Sequence, residues 1–161
     1  ARTQSVFTRS GVNAIDLEDV IRDELVAVAA REEQVDLDGP PVRLRREPAE
    51  AFALALHELT TNAVKYGALS DPSGHLTVRW RLLNTDRGRK LTLEWRESGV
   101  RALSLAPTRS GFGRELIERG LPYELGASTS LEFGRGGIRA TIELPLTEKV
   151  AELDVEAETD S

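Results

Sequence analysis

The chain has 161 residues, a formal net charge of −6 and no Cys, the make-up of one ordinary folded domain large enough to bury a core without cross-links. Disulfides and thiolate metal sites are excluded, two well-separated histidines (His57 and His75) argue against an all-protein zinc site, and the negative charge argues against a general nucleic-acid binder. No apolar run is long enough to span a bilayer and no secretory signal pattern opens the chain.

In chain order, residues 1–10 carry no start signal and read as the end of a preceding element. With no initiating Met, the whole reads as an excised part of a longer protein. Asp16 then stands as N-cap before Leu17, Val20, Ile21, Leu25 and Val28, a helical stripe with acidic residues in its first turn. V-D-L and V-R-L, separated by Gly39-Pro40-Pro41, read as two short strands joined by a turn. Pro48, at a first helical position, opens a long helix that stops near Gly67. After the turn cluster S-D-P-S-G, a strand places Leu76, Val78, Trp80 and Leu82 on one face. Asn84 to Lys90 forms a polar hairpin loop, and the return strand places Leu91, Leu93 and Trp95 on one face with Thr92, Glu94 and Arg96 on the other.

Residues 97–113 are irregular, with glycine at 99, 111 and 113, a length of loop that marks function or mobility. A helix opens at Gly113 and runs towards Tyr123, with Gly120 and Pro122 counting against its second half. Ser128 to Phe133 and Ile138 to Leu144 form a last hairpin across G-R-G-G. From Thr147 the chain turns acidic and loses its period, which reads as a solvated or disordered tail over 147–161 with room for one helical turn. This order predicts an α+β fold: a two-layer α/β sandwich with a mixed, mainly antiparallel sheet and helices on one face.

The long helix carries Phe52, Leu56, Leu59, Ala63 and Tyr66 as its apolar stripe, and Glu58, Asn62 and Lys65 along a neighbouring one. Two readings of the polar stripe stand side by side. One is a solvated face with ordinary i, i+3 and i, i+4 pairs. The other is a binding wall, with the Asn62 carbonyl offered to a metal and Lys65 to a phosphate. Gly111-Phe112-Gly113, directly before a helix, fits a phosphate site, although the same pattern also forms plain loop-to-helix turns. It is neither a dinucleotide fingerprint nor a P-loop.

H-E-L-T-T-N-A-V-K-Y-G-A-L-S (His57 to Ser70), W-R-E-S-G (Trp95 to Gly99) and G-F-G-R-E-L-I-E-R-G-L (Gly111 to Leu121) together resemble the ATP-binding domain of HWE-type bacterial sensor histidine kinases. These belong to the Bergerat-fold (GHKL) ATPases. The resemblance covers about Asp16 to Leu146, and the division it implies is 1–10 as the end of a dimerisation and phosphoacceptor helix, 11–146 as the ATP-binding domain, and 147–161 as the tail. It implies ATP and Mg²⁺ as cofactors. Asn62 would hold the metal, and Glu58 would lie near the γ-phosphate as the proton-accepting or orienting carboxylate. Lys65 and Tyr66 would line the phosphate and ribose side, Glu97 would accept from the adenine amino group, and Gly99 would let the base approach the backbone. Gly111, Phe112 and Gly113 would form the base of a lid, with Arg109 and Arg114 as local positive charge.

The implied activity is phosphoryl transfer from ATP to a His on a separate domain, and thence to a response regulator, in a cytoplasmic, homodimeric parent without nucleic-acid or direct membrane contact. His57 lies on another side of the helix from Glu58 and Asn62, where a packing role is as plausible as chemistry; Trp95 is in phase with the core, and His75 reads as exposed. Val100 and Arg101 stand where the family continues with Gly and Pro, which motivates one alternative, a nucleotide-free docking module of the same fold; a second alternative of that fold is an anti-sigma-type Ser kinase.

Overall fold

The computed structural model describes residues 14–28, 30–99, 116–134 and 136–152. Strand β1 (Ala14–Asp16) leads into helix α1 (Leu17–Ala27), whose N-cap is Asp16: its Oδ1 accepts from the Glu18 N–H at 3.0 Å, satisfying one orphan donor of the first turn. A 3₁₀ turn (Glu32–Gln34) precedes strand β2 (Val35–Asp38), and strand β3 (Arg43–Arg45) runs into helix α2 (Arg46–Tyr66). Helix α2 begins two residues before Pro48, which sits in the first turn where a missing N–H costs nothing. A 3₁₀ turn (Ala68–Ser70) follows, then the long strands β4 (His75–Thr85) and β5 (Gly88–Ser98). A π-helical turn (Leu116–Gly120) passes directly into α3 (Leu121–Leu125), so helical structure continues through Gly120 and Pro122. Gly126, at φ +68, closes it with its N–H on the Pro122 carbonyl. Strands β6 (Ser128–Gly134) and β7 (Gly137–Pro145) complete the fold.

The main sheet has the order β2-β4-β5-β7-β6, antiparallel throughout except for the parallel pair β2–β4. Its inner face carries Leu76, Val78, Trp80, Leu91, Leu93, Trp95, Ala140, Ile142 and Leu144, all buried against Leu17 and Ile21 of α1, Phe52, Leu56 and Leu59 of α2, and Ile117 and Leu121. The outer face reads Thr77, Arg79 and Arg81, then Thr92, Glu94 and Arg96, then Arg139, Thr141 and Glu143 in register across three strands. A polar mosaic of that kind needs no second layer, and the helices lie on one face as the pattern predicts.

Three expectations change. V-D-L and V-R-L do not pair with each other: β2 joins the main sheet beside β4, whereas β3 pairs with β1 in a separate two-stranded ribbon. Pro40 and Pro41 have no N–H for a hairpin ladder, and the link is fastened elsewhere, the Trp80 indole donating to the Pro40 carbonyl at 2.7 Å. The β4–β5 hairpin turns tightly at Asp86-Arg87, with Thr85 opposite Gly88, so the expected loop from Asn84 to Lys90 is mostly strand. Finally, residues 147–152 are not a solvated tail. Val150 and Ala151 are buried, Ala151 bridges Leu44, the Arg45 N–H donates to the Val150 carbonyl at 2.7 Å, and the Glu152 N–H donates to the Arg43 carbonyl at 2.9 Å. The acidic composition concealed one apolar pair that covers the ribbon.

Ending the chain at Leu146 removes that cover and both backbone bonds. The expected loss is roughly 2–3 kcal/mol of stability, read from urea unfolding; an unchanged midpoint contradicts the docking of this segment.

Candidate functional site

Helix α2 packs against both α1 and the segment 116–125. Its 3.6-residue period sorts the polar side chains between two flanks. On the α1 flank, His57 Nδ1 meets Glu24 Oε1 at 3.0 Å; Glu24 is buried, and His57 remains half-exposed. A buried carboxylate requires a partner, so the packing role weighed for His57 is the one its geometry supports. Glu58, Asn62 and Lys65 occupy the opposite flank, Glu58 and Asn62 half-buried, Lys65 exposed and Tyr66 half-buried one step further round. At 1.5 Å per residue, Asn62 stands about 7.5 Å and Glu58 about 13.5 Å along the helix axis from Gly67.

The C-terminal end of α2 meets the end of β5. Period-two alternation puts Glu97 on the same inner face as Leu91, Leu93 and Trp95, so a carboxylate enters the core and is only 5% exposed. Its Oε1 accepts from the Ala68 N–H at 3.0 Å, its Oε2 accepts from the Trp95 indole N–H at 2.9 Å, and the Ile138 backbone donates a further bond. Trp95 is fully buried: it is core, as its phase predicts, and it also places a donor on the carboxylate two residues on. That relation explains the W-x-E spacing physically, because residues i and i+2 of a strand share a face.

Backbone closes around the group from both sides. A Cβ on Gly67 would fall on Glu97 Oε1, and one on Gly137, itself at φ +140, would meet Glu97 Cβ. Burial raises the Glu97 pKa above its ordinary value, while the bonds from Trp95, Ala68 and Ile138 oppose that rise.

The turn after α2 is fastened to the same corner. Gly99, at φ +78, packs on the Ser73 carbonyl, and Ser73 Oγ donates to the Gly99 carbonyl at 3.1 Å. Gln34, from the turn before β2, donates its two side-chain N–H groups to the Asp71 and Gly74 carbonyls at 2.8 and 2.9 Å, with the Ala68 carbonyl 3.4 Å from the same nitrogen as a longer, shared contact. Sequence reading missed Gln34 entirely, since a lone Gln before a short strand carries no local signal. His75, read as exposed, is part-exposed and pairs with Asp36 at 2.9 Å.

The structure therefore brings together Glu58, Asn62 and Lys65 on one helix flank, with Tyr66 on the adjoining edge of the apolar stripe and Glu97 and Gly99 near that helix's C-terminal end. Arg109, Gly111, Phe112, Gly113 and Arg114 lie outside the described residues. Among the described residues no cluster of three His, Asp or Glu side chains could hold a metal ion, and no helix is long and apolar enough to cross a membrane.

Two variants test the buried carboxylate. Trp95→Phe keeps an aromatic ring but loses the indole N–H and some volume, so it orphans one Glu97 oxygen and leaves a small void, with an expected cost of at least about 1–3 kcal/mol; a melting temperature equal to the parent's contradicts the bond. Because the folded pKa of Glu97 is raised, its contribution to stability is full below the ordinary carboxylate range and is lost as pH rises through the folded value. Glu97→Gln removes that titration. The stability of the parent relative to Glu97→Gln should then fall as pH rises from the ordinary carboxylate range, and parallel pH profiles would contradict the assignment.

No protein-family model matches the chain. Over 117 residues, 73% of its length, it is 33% identical to a blue-light-activated histidine kinase of Brucella ovis, and over an alignment of the same length 35% identical to one of Brucella anthropi. It spans about a quarter of those relatives, 24% of each. Among solved structures it matches the histidine kinase domain of the Erythrobacter litoralis blue-light-activated histidine kinase, with a TM-score of 0.59 and 21% identity, over 84% of this chain and 63% of that one. It also matches the catalytic domain of the histidine kinase ThkA, with a TM-score of 0.59 and 18% identity, over 82% of this chain and 94% of that one. The chain is a homologue of the histidine kinases and has the fold of a histidine kinase catalytic domain.

Proposed function

We propose that this domain binds Mg·ATP along α2 and serves a cytoplasmic two-component kinase, its γ-phosphoryl passing to a His of a separate phosphoacceptor domain and then to a response regulator. The observation that carries this reading is the arrangement along one helix: a buried carboxylate at the C-terminal end, an amide about 7.5 Å along the axis and a second carboxylate about 13.5 Å along. That sequence of groups suits an elongated ligand with a hydrogen-bonding base at one end and transferable phosphate at the other. A carboxylate has about four lone-pair sites. Three N–H donors occupy Glu97, leaving one for the amino group of a purine, with Gly99 beside it.

The donor set fits the cofactor. With no cluster of carboxylates and histidines among the described residues, a cation here has the Asn62 carbonyl and ligand oxygens to bind, which suits Mg²⁺, an ion that keeps most of its shell from phosphates and water. The bound metal would neutralise charge on the phosphates. Lys65 would add a point charge from the exposed end of the same flank, with Tyr66 on the ribose side. Glu58 would orient the attacking imidazole or take its proton, so that the protein contributes positioning and electrostatics. The lid reading of Gly111, Phe112 and Gly113, with Arg109 and Arg114, is part of the same proposal. In the full-length protein, a homodimeric kinase, the phosphoacceptor helix would reach the Glu58 end.

Titration calorimetry with Mg·ADP tests the reading on the chain as it stands. The parent should bind, and Asn62→Ala, a half-buried flank residue outside the core, should bind at least tenfold more weakly. Equal affinities would remove Asn62 from the site, and no binding by the parent would return the docking-module alternative.

A further inference from the structure

We propose that Gln34 is a positioning residue for the base end of the site, one that works through the turn after α2 and touches no ligand itself; the nucleotide part of this inference rests on the reading above.

The parallel pairing of β2 with β4 begins at Val35 opposite Leu76. It sets the residue before β2, Gln34, beside the residues before β4, which include Gly74. An antiparallel partner would have put Gln34 at the far end of the strand. Held there, and 8% exposed, Gln34 Nε2 lies 2.8 Å from the Asp71 carbonyl, 2.9 Å from the Gly74 carbonyl and 3.4 Å from the Ala68 carbonyl. Carbonyl oxygens only accept, so the group facing them must be the amide nitrogen. Backbone carbonyls from both ends of a seven-residue turn thus converge on a single side-chain atom.

The turn has to be folded tightly for this to happen. A Cβ on Gly74 would meet the Ala68 carbonyl group, so Gly74 packs directly against the residue that faces Glu97. Ala68 is the pivot: its carbonyl points to Gln34 and its N–H donates to Glu97 Oε1. At the other end of the turn, Gly99 packs on the Ser73 carbonyl, and the Ser73 hydroxyl shares its one proton between Asp71 Oδ1 at 2.8 Å and the Gly99 carbonyl at 3.1 Å. Gln34 is therefore connected, through one short segment, to both residues assigned to the base. Without its N–H groups the convergent carbonyls would be left buried and mutually repelling. The turn would open, and the Ala68 N–H would leave the carboxylate. Glu97 would then keep the Trp95 bond but lose the fixed direction of its remaining lone pair.

Two readouts separate positioning from plain stability. The first needs no nucleotide. The chain has two tryptophans, and both indole N–H groups are bonded, Trp95 to Glu97 and Trp80 to the Pro40 carbonyl. Hydrogen exchange of these signals is followed by NMR in the parent, Gln34→Ala and Gln34→Lys. Lys is the rescue variant, because its ammonium offers three N–H groups to the carbonyls and needs no acceptor. Gln34→Ala should speed Trp95 exchange at least tenfold over the parent while changing Trp80 much less, and Gln34→Lys should restore most of the protection. Equal acceleration of both indoles, or none, overturns the proposal, as does a folded Gln34→Lys with Trp95 as labile as in the Ala variant. If Gln34→Ala does not fold, the Lys variant decides alone.

The second readout is the ratio of Mg·ATP to Mg·GTP affinity by calorimetry. Gln34→Ala should shrink it at least fivefold by weakening ATP selectively, and Gln34→Lys should return it. An unchanged ratio with both affinities intact overturns the role in base reading. Failure of the parent to bind either nucleotide overturns the functional reading, while the exchange experiment still judges the link from Gln34 to Glu97.

Discussion

The buried Glu97 carboxylate is the constraint around which this end of the molecule is arranged. A charge taken out of water must be matched by donors aimed at it, and these come from three separate parts of the chain: the Trp95 side chain on the same strand, the Ala68 backbone after α2, and the Ile138 backbone on β7. Each donor requires its own element to be in place. The group therefore joins helix, turn and two strands in one polar network, and the glycines on either side, Gly67 and Gly137, are where backbone comes close enough to close it. Burial and donor bonds pull its pKa in opposite directions, with burial the larger.

Helix α2 divides its work by flank. Its apolar stripe seats on the sheet, the His57 flank ties it to α1 through Glu24, and Glu58 and Asn62 stand half-buried on the flank across from His57. Fixing one flank by a specific polar bond sets the rotation of the helix about its axis, and that rotation decides where the opposite flank points. The two polar flanks of one helix are coupled in this way without touching.

Much of this was legible in the sequence, and what was not has a common cause. Strict alternation marks β4, β5 and β7, and a 3.6-residue stripe marks α2, so the sandwich and its one-sided helical layer can be read directly. The phase of Glu97 with Leu91, Leu93 and Trp95 is also written in the sequence; read as a ligand contact, its burial among protein donors was overlooked. The residues that resisted reading are those joined across long separations. The parallel partner of β2, the pairing of β1 with β3 and the docking of Val150 and Ala151 on that ribbon are non-local, and a three-residue strand or an apolar pair in an acidic run has no periodicity to display. Gln34 belongs with them, because its role depends on which strand lies beside β2, and an expected β2–β3 hairpin would have carried it away from the site.

The central claim is that the corner made by Glu97, Gly99 and the turn after α2 reads a purine while Asn62 and Glu58 face its phosphates. The most direct measurement is a crystal structure of this domain grown with Mg·ADP. The account predicts the purine amino group at about 3 Å from the Glu97 carboxylate, the Trp95 indole still bonded to the other oxygen, and the metal on Asn62. A nucleotide bound on the open face of the sheet, or a base that leaves Glu97 untouched, would contradict it.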